Sequence, residues 1–95
     1  MHLKNRVVSI YDRKTSMRLA LQEWTALDAI CKREHIKRKK LLELIEDNKD
    51  ADCGLTSFVR LFTIVYMHKL ALLTGFKDKS DTNHRDIYQT FDLIS

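Results

Sequence analysis

The spacing of apolar side chains changes along this chain, and each change marks an element. In Lys14-Thr15-Ser16-Met17-Arg18-Leu19, Met17 and Leu19 alternate with Ser16 and Arg18, the two-residue period of a half-buried strand. Val7-Val8-Ser9-Ile10 offers an earlier short strand, with Asp12-Arg13 as a turn. From Gln22 to Glu34 the spacing becomes helical, with Trp24, Leu27, Ile30 and Cys31 on one face. Leu41, Leu42, Leu44 and Ile45 predict a second helix from Arg38 to about Asn48. A third runs from Thr56 to Leu73 and carries adjoining stripes, Phe58, Leu61, Phe62 and Val65 beside Val59, Tyr66, Leu70 and Leu73. So broad an apolar face asks for more than one neighbour. Asp86 to Ile94 predicts a short terminal helix.

Polar clusters punctuate these elements, because the chain has no proline and only two glycines, Gly54 and Gly75. Glu46 to Gly54 reads as a loop, and Lys77 to Asn83 as a linker or surface loop. The expected organisation is one domain over residues 1–73 and a C-terminal tail over 74–95.

The predicted fold class is mostly α with one short N-terminal β-strand. A strand of about six residues cannot stand alone, since its backbone N–H and C=O groups need partners. With no extended segment later in the chain, the simplest partner is the same strand of a second copy. Two copies then pair antiparallel across a twofold axis into an intermolecular ribbon, and the helices interweave beneath it as an intertwined homodimer. Met17 and Leu19 face the helices, while Lys14, Ser16 and Arg18 face outward. The core draws on Trp24, Leu27, Ile30, Leu41, Leu42, Ile45, Phe58, Leu61, Phe62 and Val65 from both copies.

Composition narrows the class. With 95 residues, 44% hydrophobic and 32% charged, the chain has enough apolar content for one small core, which excludes simple disorder. Its best apolar run, Phe62 to Met67, contains Thr63 and is closed off by Arg60, His68 and Lys69, so no membrane span is expected. The start, Met1-His2-Leu3-Lys4, lacks the apolar region of a signal peptide. Two cysteines are too few for a disulfide scaffold, which points to a reducing cytoplasm and, with the charge below, to the nucleoid. The formal net charge of +4 divides unevenly: residues 1–40 carry 11 Lys/Arg against 4 Asp/Glu, and residues 41–95 carry 6 against 9. A basic half of this kind suits a polyanion.

Strand, helix, helix in this order resembles the ribbon-helix-helix (Arc/MetJ-like) superfamily of DNA-binding proteins, and more narrowly a bacterial subgroup of short ribbon-helix-helix domains with a third helix. The residues that carry the resemblance are Thr15-Ser16, Leu19, Trp24, Leu27 and Ile30, then Leu41-Leu42 with Ile45-Glu46. Leu55-Thr56-Ser57, Arg60 and Phe62 follow after the loop, so the likeness spans Arg6 to His68. It implies a β-ribbon in the major groove, where base edges show distinct donor and acceptor patterns. Lys14, Ser16 and Arg18 would then meet base edges, each twice through the dyad, with the Arg18 guanidinium suited to guanine O6 and N7.

The start of the second helix adds its own chemistry. Lys37-Arg38-Lys39-Lys40 places four cations in a row where the helix dipole disfavours them. The family usually shows Ser or Thr as the cap near this spot; here Lys37 stands instead. A DNA phosphate resolves the conflict, because free N–H groups and flanking cations then share one anion. His35 stands where the family tends to carry a helix-ending glycine, and His tolerates positive φ better than most residues.

Other chemistries find little footing. Cys31 and His35 lie four apart, and Cys53, His68 and His84 are scattered, without the paired spacing of a zinc site. No glycine-rich phosphate loop or catalytic triad spacing is present, so neither an enzyme nor a cofactor is expected. Trp24, on an apolar stripe, reads as a core anchor rather than a base-stacking residue. The expected function is sequence-specific double-stranded DNA binding as a homodimer, in a transcriptional regulator. The alternative is an antitoxin-like or other protein-interaction module that uses the third helix and the aromatic tail (Tyr88, Phe91).

Overall fold

The computed structural model describes residues 2–73 and 83–94, leaving Gly75 and most of the expected 77–83 linker outside the described residues. Its order is β1 (Leu3–Ile10), β2 (Arg13–Ala20), α1 (Leu21–Glu34), α2 (Arg38–Asn48), α3 (Leu55–Leu73) and α4 (Arg85–Ile94). The three long helices and the short terminal one fall where the apolar spacing predicts them, within a residue at most ends.

The strands differ from expectation. β2 does not wait for a second molecule: it pairs antiparallel with β1 of its own chain, from Leu3↔Ala20 to Ile10↔Arg13. The upstream strand is eight residues long rather than four, and the turn is Tyr11-Asp12 rather than Asp12-Arg13. The expectation that this strand has no partner within its own chain is thus overturned: the ladder groups of β2 facing β1 are satisfied in cis, and those of its other edge face away from β1. Both turn residues have positive φ (48° and 62°), as a two-residue hairpin of the primed type requires. Neither is glycine. α2 holds the strained turn from outside: Tyr11 N–H donates to Glu43 Oε2 at 2.9 Å and Tyr11 Oη–H donates to Asp47 Oδ2 at 2.6 Å.

Alternation sets which face of the hairpin is buried. Val8, Ile10, Met17 and Leu19 point into the core, at 5% exposure or less. β1 lies against α2 and β2 against α1, while α3 packs on α1 and α2 and carries α4. Trp24, Leu27, Ile30, Leu41, Leu42, Ile45, Phe58 and Phe62 are all buried within the single chain. Each such side chain contributes about 1.5–3 kcal/mol relative to exposure. The core of one chain is thus built from its own side chains. Of the residues expected in a shared core, Leu61 is 43% exposed and Val65 is only partly buried, because α3 turns a narrower face inward than its two stripes suggest.

Ile87 and Phe91 of α4 join the same core, with the Phe91 ring 5.2 Å from that of Phe62. α3 also differs from expectation. Counted over a helix rather than an unbroken apolar run, Leu55–Leu72 is long and apolar enough to cross a bilayer by length and composition, at a mean hydropathy of 1.2. Here Phe58, Val59, Phe62, Tyr66 and Leu70 bury one side of it in the core, and Arg60 and Lys69 pair with Glu23 and Asp86.

Candidate nucleic-acid interface

The outer face of the hairpin is polar and open. Lys14, Ser16 and Arg18 all project from it, exposed, as the two-residue period predicts. Cross-strand pairing places Ser9 beside Lys14, Val7 beside Ser16 and Asn5 beside Arg18, so the face carries three rungs of two side chains. Val7 is 66% exposed, an unusual degree for a β-branched residue in the middle of a strand.

The start of α2 adjoins this face. A cleft of about 220 Å³ is lined by Val7, Val8 and Ser9 from β1 and by Arg38, Lys39 and Leu42 from α2. Lys37 is the N-cap in extended conformation, and its side chain makes no capping hydrogen bond. Leu41 N–H donates to Lys37 O at 3.0 Å, which leaves the N–H groups of Arg38, Lys39 and Lys40 ahead of the first helical bond.

The four cations here are not equivalent. Arg38 donates through Nε and Nη2 to Asp28 Oδ1, at 3.1 and 2.7 Å. Lys39 Nζ donates to Glu43 Oε2 at 2.9 Å. That carboxylate, which also accepts the Tyr11 N–H, is held below its usual pKa first by the Tyr11 bond and then by Lys39. Lys39 is raised in turn by the bond to Glu43. Lys37 and Lys40 are exposed and make no ion pair among the described residues. Half of the cluster is thus internally engaged.

Trp24 joins the strands to both helices. Its Nε1–H donates to Lys4 O at 2.9 Å, and the Arg6 and Arg38 guanidiniums lie 4.8 and 5.2 Å from its ring, so the buried indole is a platform for cations. Between α1 and α2, His35 adopts φ 56° and ψ 46°. Ile36 N–H donates to Cys31 O and His35 N–H to Lys32 O, the bond pair of a Schellman ending usually built on glycine.

A family model described as the ribbon-helix-helix domain matches residues 3–67. The chain belongs to the ribbon-helix-helix domain family. Neither the search of curated proteins nor that of solved structures returns a match. The matched span takes in the hairpin, α1, α2 and two-thirds of α3; it stops before α4. As a family, ribbon-helix-helix domains are DNA-binding modules of regulators, typically without enzymatic activity.

Two features of this ribbon-helix-helix chain escape its sequence pattern. Asn5, Val7 and Ser9 share the outer face because β1 is a full strand, and only the pairing register shows it. The second feature is a charged cluster where α1 ends against α3 and α4. Arg33 Nη1 donates to the Tyr66 hydroxyl at 2.6 Å, to Asp86 Oδ2 at 2.9 Å and to Glu34 Oε2 at 3.2 Å. Tyr66 donates to Glu34, Lys69 reaches Asp86 Oδ1 at 3.2 Å, and His84 Nδ1 lies 3.4 Å from Glu34 Oε1. Burial, followed by its bond to Glu34, drives the Tyr66 phenol far above its ordinary pKa. No group of three metal-ligating side chains occurs among the described residues. Cys31 is partly buried, and burial pushes its thiol up to about 11, an inert rather than a reactive state.

Proposed function

We propose that this protein is a sequence-specific double-stranded DNA-binding regulator of transcription, acting in the cytoplasm at the nucleoid. Its hairpin enters the major groove, where Lys14, Ser16 and Arg18 meet base edges. The start of α2 takes a backbone phosphate through its free N–H groups, Lys37 and Lys40, and Arg38 and Lys39 supply additional positive potential while paired. The observation that carries this reading is the cleft of Val7, Ser9, Arg38 and Lys39, which sets an open polar ribbon beside a cationic helix start. Ribbon width agrees: two strands 4.7–4.9 Å apart fit a groove about 12 Å wide.

The working assembly is a homodimer in which β2 of the two copies meets across a twofold axis, so that the site it reads is twofold-related. An apolar groove of about 770 Å³ between α1 and α3, lined by Leu21, Thr25, Ala26, Ala29, Met67, Leu70 and Ala71, supplies a seam away from the cationic helix start. Sedimentation of the wild type and of Ala26→Glu tests it: the variant is expected to become monomeric.

Gel shifts of the full chain on mixed genomic duplex, across a salt series and beside an RNA of equal length, test the function. Binding to duplex that weakens steeply with salt is expected. Absence of duplex binding at low salt, or a preference for RNA, overturns it. A second reading, a protein-interaction module of antitoxin type, is favoured by exposed Ile64 and Leu72 on α3 and Tyr88 and Leu93 on α4. It predicts co-purification of a partner lost on Ile64→Asp.

A further inference from the structure

Arg6 of β1 holds its charge without a carboxylate. Alternation turns it to the same side of the hairpin as Val8 and Ile10, it is only partly buried, and it makes no ion pair among the described residues. Its neighbour is an aromatic ring: the guanidinium lies 4.8 Å from the centroid of Trp24, a residue 1% exposed. Stacking engages the flat face of a guanidinium and leaves the N–H donors around its rim free, in the fork that suits two phosphate oxygens. Arg38 shares the same ring at 5.2 Å, so cations from β1 and α2 gather at one spot. Arg38 and Lys39 are already matched by Asp28 and Glu43. Arg6 is not.

The strand that carries Arg6 also has an open edge. The pair Ile10↔Arg13 closes the two-residue turn, so the ladder bonds of β1 fall at Ile10, Val8, Arg6 and Lys4. The N–H groups of Asn5, Val7 and Ser9 therefore face away from β2, and no acceptor meets them among the described residues. Val7 and Ser9 line the 220 Å³ cleft together with Arg38 and Lys39, which brings free donors and cations into one recess. Where β2 of two copies meets across the twofold axis, each β1 becomes an outer strand. Strands about 4.8 Å apart then put the two outer axes about 14 Å apart, against a groove about 12 Å wide. β2 occupies the groove, and β1 lies at its rim, where the phosphates run.

We propose that β1 is a backbone-holding strand: Arg6, fixed on the Trp24 ring, and the free Val7 N–H beside it bind a DNA phosphate at the groove rim. This rests on the DNA-binding reading above and extends it, since that reading takes its phosphate at the start of α2 and gives β1 no contact of its own. A guanidinium free in water loses rotamer freedom when it grips a phosphate; here the indole has already fixed it. A merely structural role, covering the indole, needs only the stem and the ring contact, and it carries no dependence of DNA affinity on salt.

The test compares full-length wild type, Arg6→Met and Arg6→Lys on a duplex selected from a random-sequence library and on its scrambled version, across a salt series. Methionine keeps an unbranched stem against Trp24 and removes the charge, and circular dichroism verifies the fold; should that variant not fold, Arg6→Gln carries the same comparison. Arg6→Met is expected to weaken both duplexes alike, about tenfold at low salt, and to lower the salt slope by about 1 per chain. Arg6→Lys should recover the slope but only part of the affinity, because an ammonium lacks the planar fork. A scan of single neutral methylphosphonate linkages through the selected duplex locates the contact. One linkage in each half-site should weaken the wild type and leave Arg6→Met indifferent. If Arg6→Met keeps the wild-type slope and the wild-type linkage profile, Arg6 only covers the indole, and the inference is overturned while DNA binding stands. If the wild type binds no duplex, the DNA reading falls and this inference falls with it.

Discussion

Two parts of this small domain concentrate its ionisable groups, and they use them in opposite ways. At the junction of α1, α3 and α4, Arg33, Glu34, Tyr66, Lys69, His84 and Asp86 form a cluster turned inward, with Arg33 at 7% exposure and Glu34 at 0%. Across the molecule's hairpin and α2 start, Lys14, Arg18, Lys37 and Lys40 lie in water. Inside, a charge is tolerable only when neighbours replace its lost hydration, so every member there is tied to another and ties α4 to the family domain. Outside, hydration costs nothing, and a cation without a protein partner is available to an anionic ligand. Arg38 and Lys39 stand between these regimes: surface cations, each already facing one carboxylate. The lesson is that charge count alone does not locate an interface; engagement does.

The contrast can be broken most severely from the inside. Glu34→Ala leaves Arg33 and Tyr66 buried without their acceptor, and should cost about 3–5 kcal/mol in denaturant unfolding. A loss below about 1 kcal/mol would mean that the cluster is far more hydrated than its burial indicates. On the open surface the same kind of truncation should leave stability untouched and move DNA binding instead. Arg18→Ala is expected to cost about 1–3 kcal/mol on the preferred duplex and little on others, read by competition gel shifts. Lys40→Ala should weaken binding to all duplexes alike and lower the salt slope by about 1. Lys39→Ala should do less, because Glu43 already holds that ammonium. Equal effects of the two lysine variants would erase the distinction drawn between engaged and open cations.

The smallest expected effect is a pH dependence. The folded-state pKa of Glu43 is depressed, by the Tyr11 N–H first and Lys39 second, so its stabilising contribution is present above the ordinary carboxylate range. It is lost as pH falls through the depressed value. The melting-temperature gap between wild type and Glu43→Gln should therefore be widest near neutrality and close on acidification. A gap that widened in acid would reverse the sign and remove Glu43 as the brace of the hairpin turn.

Much of the fold is legible in the sequence, and particular residues show why. Trp24, Leu27 and Ile30, then Leu41, Leu42 and Ile45, repeat at helical spacing strongly enough to place α1 and α2. The unusual caps were legible too: Lys37 at the start of α2, and His35 in the left-handed region at the end of α1. β1 was legible only in part. Lys4, Asn5 and Arg6 hide its alternation, and a turn of Tyr11-Asp12 lacks the glycine that signals a hairpin. Its stability comes from Glu43 and Asp47, more than thirty residues away.

By itself, then, the sequence determined the local geometry: periodicity, helix ends, the outward direction of Lys14, Ser16 and Arg18, and membership of the ribbon-helix-helix family. Those properties follow from backbone sterics and near-neighbour spacing, which any stretch of chain carries with it. Tertiary structure alone decided that β2 pairs within its own chain and that α4 shares the core. It also decided which of four neighbouring cations meets a carboxylate. Each of these depends on what distant segments bring into contact, and contact between distant segments is settled by the packing of the whole core rather than by any window along the chain.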